Sequence, residues 1–207
     1  MKIFFTAVLF FCTGTVSAQD YPFAKNFVQG TIVTKDSIAN AGQIKWYPDP
    51  AEKLKFRKNE SSKTMKYTPE DLLGFTVDSL KFVSLFNFEV YAAQYALLGK
   101  TLAIKHTFGQ LLDSGSFNIY FVNMSEYNAL SGVIQNYPNF LFGKKTDSGI
   151  LYAAYPFKIR MSDRKYEEAK QDLFVFFKDY PEINNMIKLY KQQNDFSEII
   201  NLMKKMN

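Results

Sequence analysis

The chain has one cysteine and one histidine among 207 residues, and each scarcity removes a class of chemistry. Cys12 lies in an apolar leader, so the chain beyond it carries no thiol. That excludes a disulfide scaffold and a zinc–thiolate cluster in the remainder. His106 stands alone between Lys105 and Thr107. Imidazole clusters for zinc or copper therefore cannot assemble. A serine–histidine–acid triad would have to use His106, yet no G-x-S-x-G elbow is present, and the residue reads as exposed or structural. Phosphate-cradling loops are missing too: neither a Walker A loop nor G-x-G-x-x-G occurs. Beyond the leader no apolar run reaches the about 20 residues of a membrane-spanning helix. Charge of one sign is scarce as well. The net charge is +5, with basic residues interleaved among acids, whereas nucleic-acid readers concentrate a basic face. The balance reads as solubility, and no nucleic-acid partner is expected.

What is present begins at the leader. Lys2 precedes Ile3 to Phe11, apolar apart from Thr6, and small residues follow from Thr13 to Ala18. A charged start, a short apolar core and a small-residue end predict a signal peptide over 1–18, cleaved after Ala18. Loss of Lys2 with the leader lowers the charge from +5 to +4. Lipoprotein processing takes small residues before its cysteine, but Phe10 and Phe11 precede Cys12. The expected product is exported, periplasmic or extracellular, and not lipid-anchored. Aromatic residues make up 17% of the chain, enough large rings for a core that needs no covalent staples.

Turn chemistry and β-branched runs dominate up to residue 160. A hairpin is expected over Asn26–Tyr47, with turns at Lys35-Asp36-Ser37 and Asn40-Ala41-Gly42. Leu54–Arg57 alternates as a short strand, and Asn59–Lys63 is a polar loop. Thr68-Pro69-Glu70-Asp71 has the residues of a helix start: an N-cap, a proline at N1 and acids in the first turn. Strands around Asp78-Ser79 follow. The stretch from residue 85 to 110 is ambiguous, because Phe86, Phe88 and Val90 alternate while Ala92–Leu98 suits a helix. Phe108–Leu112 and Phe117–Val122 flank a turn at Asp113-Ser114-Gly115-Ser116. Gly143–Gly149 reads as a polar turn before a strand at Ile150–Tyr155.

After Met161 the apolar period lengthens to that of a helix. Ser162 is the expected N-cap, and Tyr166, Ala169, Leu173, Phe176, Phe177 and Tyr180 form one face. Pro181 starts a second helix, with Ile183, Met186, Ile187 and Tyr190 on its stripe. Asp195-Phe196-Ser197-Glu198 resembles a capping box for a third, striped by Phe196, Ile199, Ile200 and Met203.

These blocks resemble a family of uncharacterised secreted proteins of Bacteroidota. The matching residues are Gly30-Thr31-Ile32 with Gly42-Gln43-Ile44, the block Tyr67-Thr68-Pro69-Glu70-Asp71-Leu72-Leu73-Gly74-Phe75, and the hairpin Gly115–Tyr120. The tail from Asp179-Tyr180-Pro181-Glu182-Ile183 is similar as well. The chain departs from that pattern at Lys35-Asp36-Ser37, where Asp-Gly-Asp is usual, and at Tyr180, where cysteine is common. The resemblance implies an envelope location and an α+β fold. It implies no active site.

Several motifs invite chemistry. Asp-Ser-Gly occurs at Asp113-Ser114-Gly115 and Asp147-Ser148-Gly149, and aspartic proteases use such a tripeptide twice to share one proton between two carboxylates. The two copies lie too close in sequence for two lobes, and Asp, Ser and Gly are turn residues. Asp78, Asp113, Asp147 and Glu126 offer oxygens for calcium without EF-hand spacing. Trp46-Tyr47 and Phe82–Phe88 suit a core better than a ligand groove. The tail helices suit packing on the sheet better than a partner or membrane surface. Asp36-Ser37-Ile38 and Asp78-Ser79-Leu80 match a short pattern that resembles O-glycosylation sites of Bacteroidota.

The expected architecture is α+β: a twisted antiparallel sheet, or partly closed barrel, over 19–160, then three short amphipathic helices over 161–207 packed on or beside it. No catalytic, cofactor-binding or metal residue is assigned, and no cofactor is implied. The leading function is a non-catalytic binding or structural module with an envelope partner or small ligand. A hydrolase working through carboxylates is the alternative, and it requires two acids in one concave pocket. A binder of lipid or another apolar ligand requires an internal cavity.

Overall fold

Ten strands and four helices follow from this pattern in a computed structural model that describes residues 21–49, 53–91, 101–128, 133–155, 162–189 and 197–207. The strands are β1 (Val28–Thr34), β2 (Ala39–Lys45), β3 (Leu54–Arg57), β4 (Met65–Tyr67), β5 (Leu72–Val77), β6 (Leu80–Val90), β7 (Leu102–Ser114), β8 (Asn118–Asn128), β9 (Val133–Thr146) and β10 (Gly149–Ala154). A single turn of helix, α1 (Pro22–Lys25), precedes them, and α2 (Asp163–Phe176), α3 (Pro181–Leu189) and α4 (Ser197–Met206) follow. The fold is α+β. Helix stretches proposed for residues 92–98 and 195–196 fall outside the described residues.

All neighbouring strands are antiparallel, in the order β10-β9-β8-β7-β6-β5-β1-β2-β3-β4. The sheet is open: β4 and β10 are its two ends, so the barrel alternative does not hold. It nevertheless curls. Tyr152 of β10 sits against Phe88 of β6, with ring centroids 5.6 Å apart. Curling needs a close approach at Gly109 of β7, where a Cβ would lie 2.3 Å from Leu85 Cδ1. It also needs a break in the side-chain alternation of β6. Leu85 and Phe88 face the same cluster although they are an odd number of residues apart. Between them Asn87 takes φ 52, a left-handed conformation that asparagine tolerates better than most residues. Phe86 therefore does not share a face with Phe88 and Val90, as simple alternation predicts. It is half-buried, with Lys35 Nζ 4.9 Å from its ring centroid.

Three sequence expectations give way to tertiary demands. Asn40-Ala41-Gly42 is strand, paired with Ile32, Thr31 and Gly30. Gly42 is needed because a Cβ there would lie 2.6 Å from the Phe56 ring. Thr68–Asp71 is a tight turn, not a helix. The Asp71 carboxylate accepts from Thr68 N at 2.7 Å and Thr68 Oγ1 at 2.8 Å, and Asp71 N donates to Thr68 O at 3.0 Å. These bonds hold the Asp71 carboxyl below its ordinary pKa, led by the Thr68 backbone N–H. The residues that cap a helix also close a turn, and β5 begins at once. Finally, β9 runs through to Thr146, so the polar turn before β10 is only Asp147-Ser148.

The core has three parts. The first is aromatic: Phe23, Trp46, Phe75, Phe82 and Phe108 meet between the β1–β5 end of the sheet and α1. The segment before β1 plugs it. Phe23 is fully buried, Trp46 N donates to Phe23 O at 2.9 Å, and the Tyr21 hydroxyl donates to Gln110 Oε1 at 2.8 Å. The second part fills the concave side of β6–β10 with Leu85, Val90, Tyr120, Leu141 and, from α2, Tyr166 and Ala169. The third packs α2, α3 and α4 on the opposite face through Leu173, Phe177, Ile183, Ile187, Ile200 and Met203. The helix stripes therefore pack as their period implies. Ser162 caps α2 by accepting from Lys165 N at 3.4 Å. Lys170 departs from the stripe: it is 1% exposed, with Nζ 2.8 Å from Glu167 Oε1. Among the described residues no helix is long and apolar enough to cross a membrane.

Candidate functional site

The motifs singled out from sequence are dispersed in the fold. Asp113, one residue before the end of β7, accepts a hydrogen bond from Asn207 Nδ2 at 2.9 Å. Asn207 clasps this turn on both sides. Its amide nitrogen also donates to Phe117 O at 2.9 Å, and its oxygen accepts from Phe117 N at 3.1 Å. Asp147 lies exposed in the β9–β10 turn. Asp147-Ser148 is the turn expected there, whereas Asp113 and Ser114 are still strand, paired with Ile119 and Asn118, and the chain bends only over 115–117; Asp113 is a docking point for the residue after α4. Asn207→Ala removes three part-buried hydrogen bonds, two to the Phe117 backbone and one to the Asp113 carboxylate. It should lower the unfolding free energy in urea by about 2 kcal/mol. A loss below about 0.5 kcal/mol would show that the clasp contributes little.

His106 lies on β7 with Nδ1 3.2 Å from Glu70 Oε1, in the Thr68–Asp71 turn. No serine or threonine hydroxyl bonds it among the described residues. Asp78 and Asp147 lie in two different turns, Asp113 lies in β7, and the Glu126 side chain lies outside the described residues. Trp46 is core at 3% exposure. Ser37 and Ser79 both stand exposed in hairpin turns.

A different set of residues converges. A cleft of about 440 Å³ opens where the end of β6, the strand β10 and the C-terminal half of α2 meet. From β6 and just beyond come Asn87, Glu89 and Tyr91. Thr101 enters from the start of β7, Ile150 and Leu151 from β10, and Asp172 and Val175 from α2. Ile150, Leu151 and Val175 are 48%, 50% and 69% exposed, so three large apolar side chains stand in water around one opening. Glu89 and Asp172 are exposed at its rim. Thr101 Oγ1 donates to the Glu89 carboxylate and orients it.

Two tyrosines line the same cleft. Tyr91 is 5% exposed, and burial pushes its hydroxyl up to about 12, with smaller contributions from the charges of Asp172 and Glu89. Tyr152 is pushed up to about 12 by burial, against a hydrogen bond with the Phe86 backbone. Both hydroxyls are therefore neutral at physiological pH and able to donate or accept. A second opening of about 400 Å³ between α2 and α3 is lined by Glu167, Gln171, Asn184 and Lys188. It carries charges of both signs, with Phe174 as its large apolar lining residue.

The sequence reading named Phe88, Phe176 and the strand Ile150–Tyr155 but assigned none of them, nor Glu89, Asp172 or Val175, to a site. Two signals were there to use. Val175 is apolar yet lies off the buried stripe of α2, and Ile150-Leu151 places two apolar residues in succession where a half-buried strand should alternate. No family model, curated protein or solved structure matches the chain.

Proposed function

We propose that this chain is an exported, non-catalytic binding module of a bacterial envelope, and that the cleft between β6, β10 and α2 is where it binds. One observation carries the reading: Ile150, Leu151 and Val175 are exposed together around a concave opening. Apolar side chains gathered at a cleft mouth mark ligand or partner sites more often than single exposed ones do. The leader of residues 1–18 and the absence of cysteine after it support export. An apolar ligand has its place in this cleft rather than inside the sheet, because Tyr120, Leu141 and Tyr166 fill the concave side.

The neutral dye Nile red tests the reading. The full chain should enhance its fluorescence, and Leu151→Asp with Val175→Asp should weaken dye binding about tenfold, since both side chains contribute apolar area to the mouth. Equal binding by wild type and variant would remove the cleft from consideration. The hydrolase reading retains one observation in its favour: Glu89 and Asp172 share a concave site. General-acid carboxyls are tuned by burial, whereas these two are exposed at the rim. Glycoside or peptide hydrolysis abolished by Glu89→Gln or Asp172→Asn would establish it.

A further inference from the structure

We infer that the outward face of β2, β3 and β4 binds an acidic polysaccharide. This is a second site, at the opposite end of the strand order from β10 and the cleft. Only the choice of a polysaccharide over a nucleic acid rests on the proposed export.

Strand alternation makes the face. Ile44, Leu54 and Phe56 are buried in the aromatic core. Their chain neighbours Lys45, Lys55 and Arg57 are half-buried and point the other way. Register then aligns the charges. Lys45 pairs with Lys55, and Lys55 with the exposed Lys66, so three lysines form one row across three strands. With strands about 4.8 Å apart the row is about 10 Å long. That does not exceed the screening length of about 10 Å in 0.1 M salt, so the three charges act on a ligand together. Beside the row, Arg57 pairs with Gln43 and its Nε donates to Gln43 Oε1 at 2.7 Å, while its guanidinium covers the Phe27 ring at 4.2 Å. Like charges set directly opposite one another work against strand pairing. A bound polyanion removes that repulsion, so binding and folding support each other.

The charge of the whole chain is concentrated here. Residues 44–67 hold seven basic and three acidic residues, net +4. The rest of the chain after the leader holds 17 of each sign. The three acids are Asp49, Glu52 and Glu60, and pairing each with a cation still leaves four positive charges. Along the chain these cations alternate with apolar residues, and strand pairing gathers them on one side. Lysine ammoniums are compact, hydrated point charges that read charge density rather than one fixed geometry, as suits a carboxylate repeated along a polymer. Membrane-surface binders add large apolar side chains that enter the lipid. The paired outward residues Gln43, Lys45, Lys55, Arg57 and Lys66 are all polar.

Polygalacturonate and the neutral polymer dextran, titrated calorimetrically into the full chain at pH 7 and low salt, test this. Polygalacturonate should bind and dextran should not. Binding should vanish in 1 M salt, where the screening length is about 3 Å. Lys45→Gln, Lys55→Gln and Lys66→Gln together should weaken binding about tenfold, and Lys66→Gln alone about twofold. The triple variant should melt no lower than the unaltered chain, because it relieves repulsion within the row. Lys178→Gln, Lys188→Gln and Lys205→Gln remove the same charge from exposed helix and loop positions and should leave the affinity unchanged. An equal loss in that control would mean that net charge alone binds the polymer, and would overturn the assignment to this face. So would failure of polygalacturonate to bind. Tighter binding of single-stranded DNA carrying the same number of charges would overturn the polysaccharide as the partner.

Discussion

Phe75→Ala lowers the unfolding free energy by about 4 kcal/mol, measured by urea denaturation. Phe75 is 1% exposed and touches rings on every side. It stacks on Phe82 at 4.6 Å with an interplanar angle of 5°. Trp46 at 5.5 Å, Phe108 at 5.3 Å and Phe23 at 6.0 Å meet it edge-on. Those partners come from four separate places in the chain: α1, the end of β2, β6 and β7. Truncation leaves a cavity that four fixed rings cannot collapse to fill, so the cost lies toward the upper end of the large-to-small range. Offset and edge-to-face contacts add about 0.5–1.5 kcal/mol each beyond the area term. The loss is a large share of the about 5–15 kcal/mol that keeps a domain folded. Phe75→Leu keeps most of the volume and should cost about 1.5 kcal/mol. If Phe75→Ala cost no more than Phe75→Leu, the aromatic cluster would not be the anchor of the β1–β5 end.

The protein loses stability steeply above pH 10. Burial raises the hydroxyls of Tyr21, Tyr91, Tyr120 and Tyr152, the second and last of these to about 12. In the unfolded chain each returns to about 10. Between those values the unfolded state has released protons that the folded state still holds, so stability falls as pH rises. The contribution is complete below pH 10 and is lost as pH climbs through about 12. Water reaches part of each ring, which discounts the full linkage energy. A drop in Tm of about 10 °C between pH 9 and pH 11.5 is expected even so, since each kcal/mol moves a domain of this size by about 2–4 °C. Tyr152→Phe should flatten the decline. A Tm that stays level across that window would mean that these hydroxyls ionise freely in the folded state.

Local chemistry made part of this fold legible. Asp78-Ser79 turns between β5 and β6, with Asp78 at φ 51, as short polar side chains favour. Ser162 caps α2, and the apolar stripes of the helices are the faces that pack. In each case the deciding interactions lie within a few residues. Where the sequence misled, a distant neighbour decided. Gly42 reads as a turn residue until the Phe56 ring is placed over it. Thr68 and Asp71 read as a helix cap until β5 follows them directly. Phe86, Phe88 and Val90 read as one face until Asn87 breaks the alternation. The candidate site was less legible still. Glu89, Asp172 and Leu151 share no local pattern, and they meet only because the sheet curls and α2 crosses its open seam.

The sequence by itself therefore determined what the molecule lacks and how its short segments behave. It has too few thiols and imidazoles for a zinc or copper cluster or a disulfide after Cys12, and several of its turns and helix stripes follow from composition and period. Tertiary structure alone decided which strands adjoin, which aromatic rings meet, and where two acids, two tyrosines and three exposed apolar side chains gather. The reason is physical. Turns and caps are set by contacts between near neighbours, whereas strand order, curl and the cleft depend on packing between residues far apart in the chain, which no local pattern records.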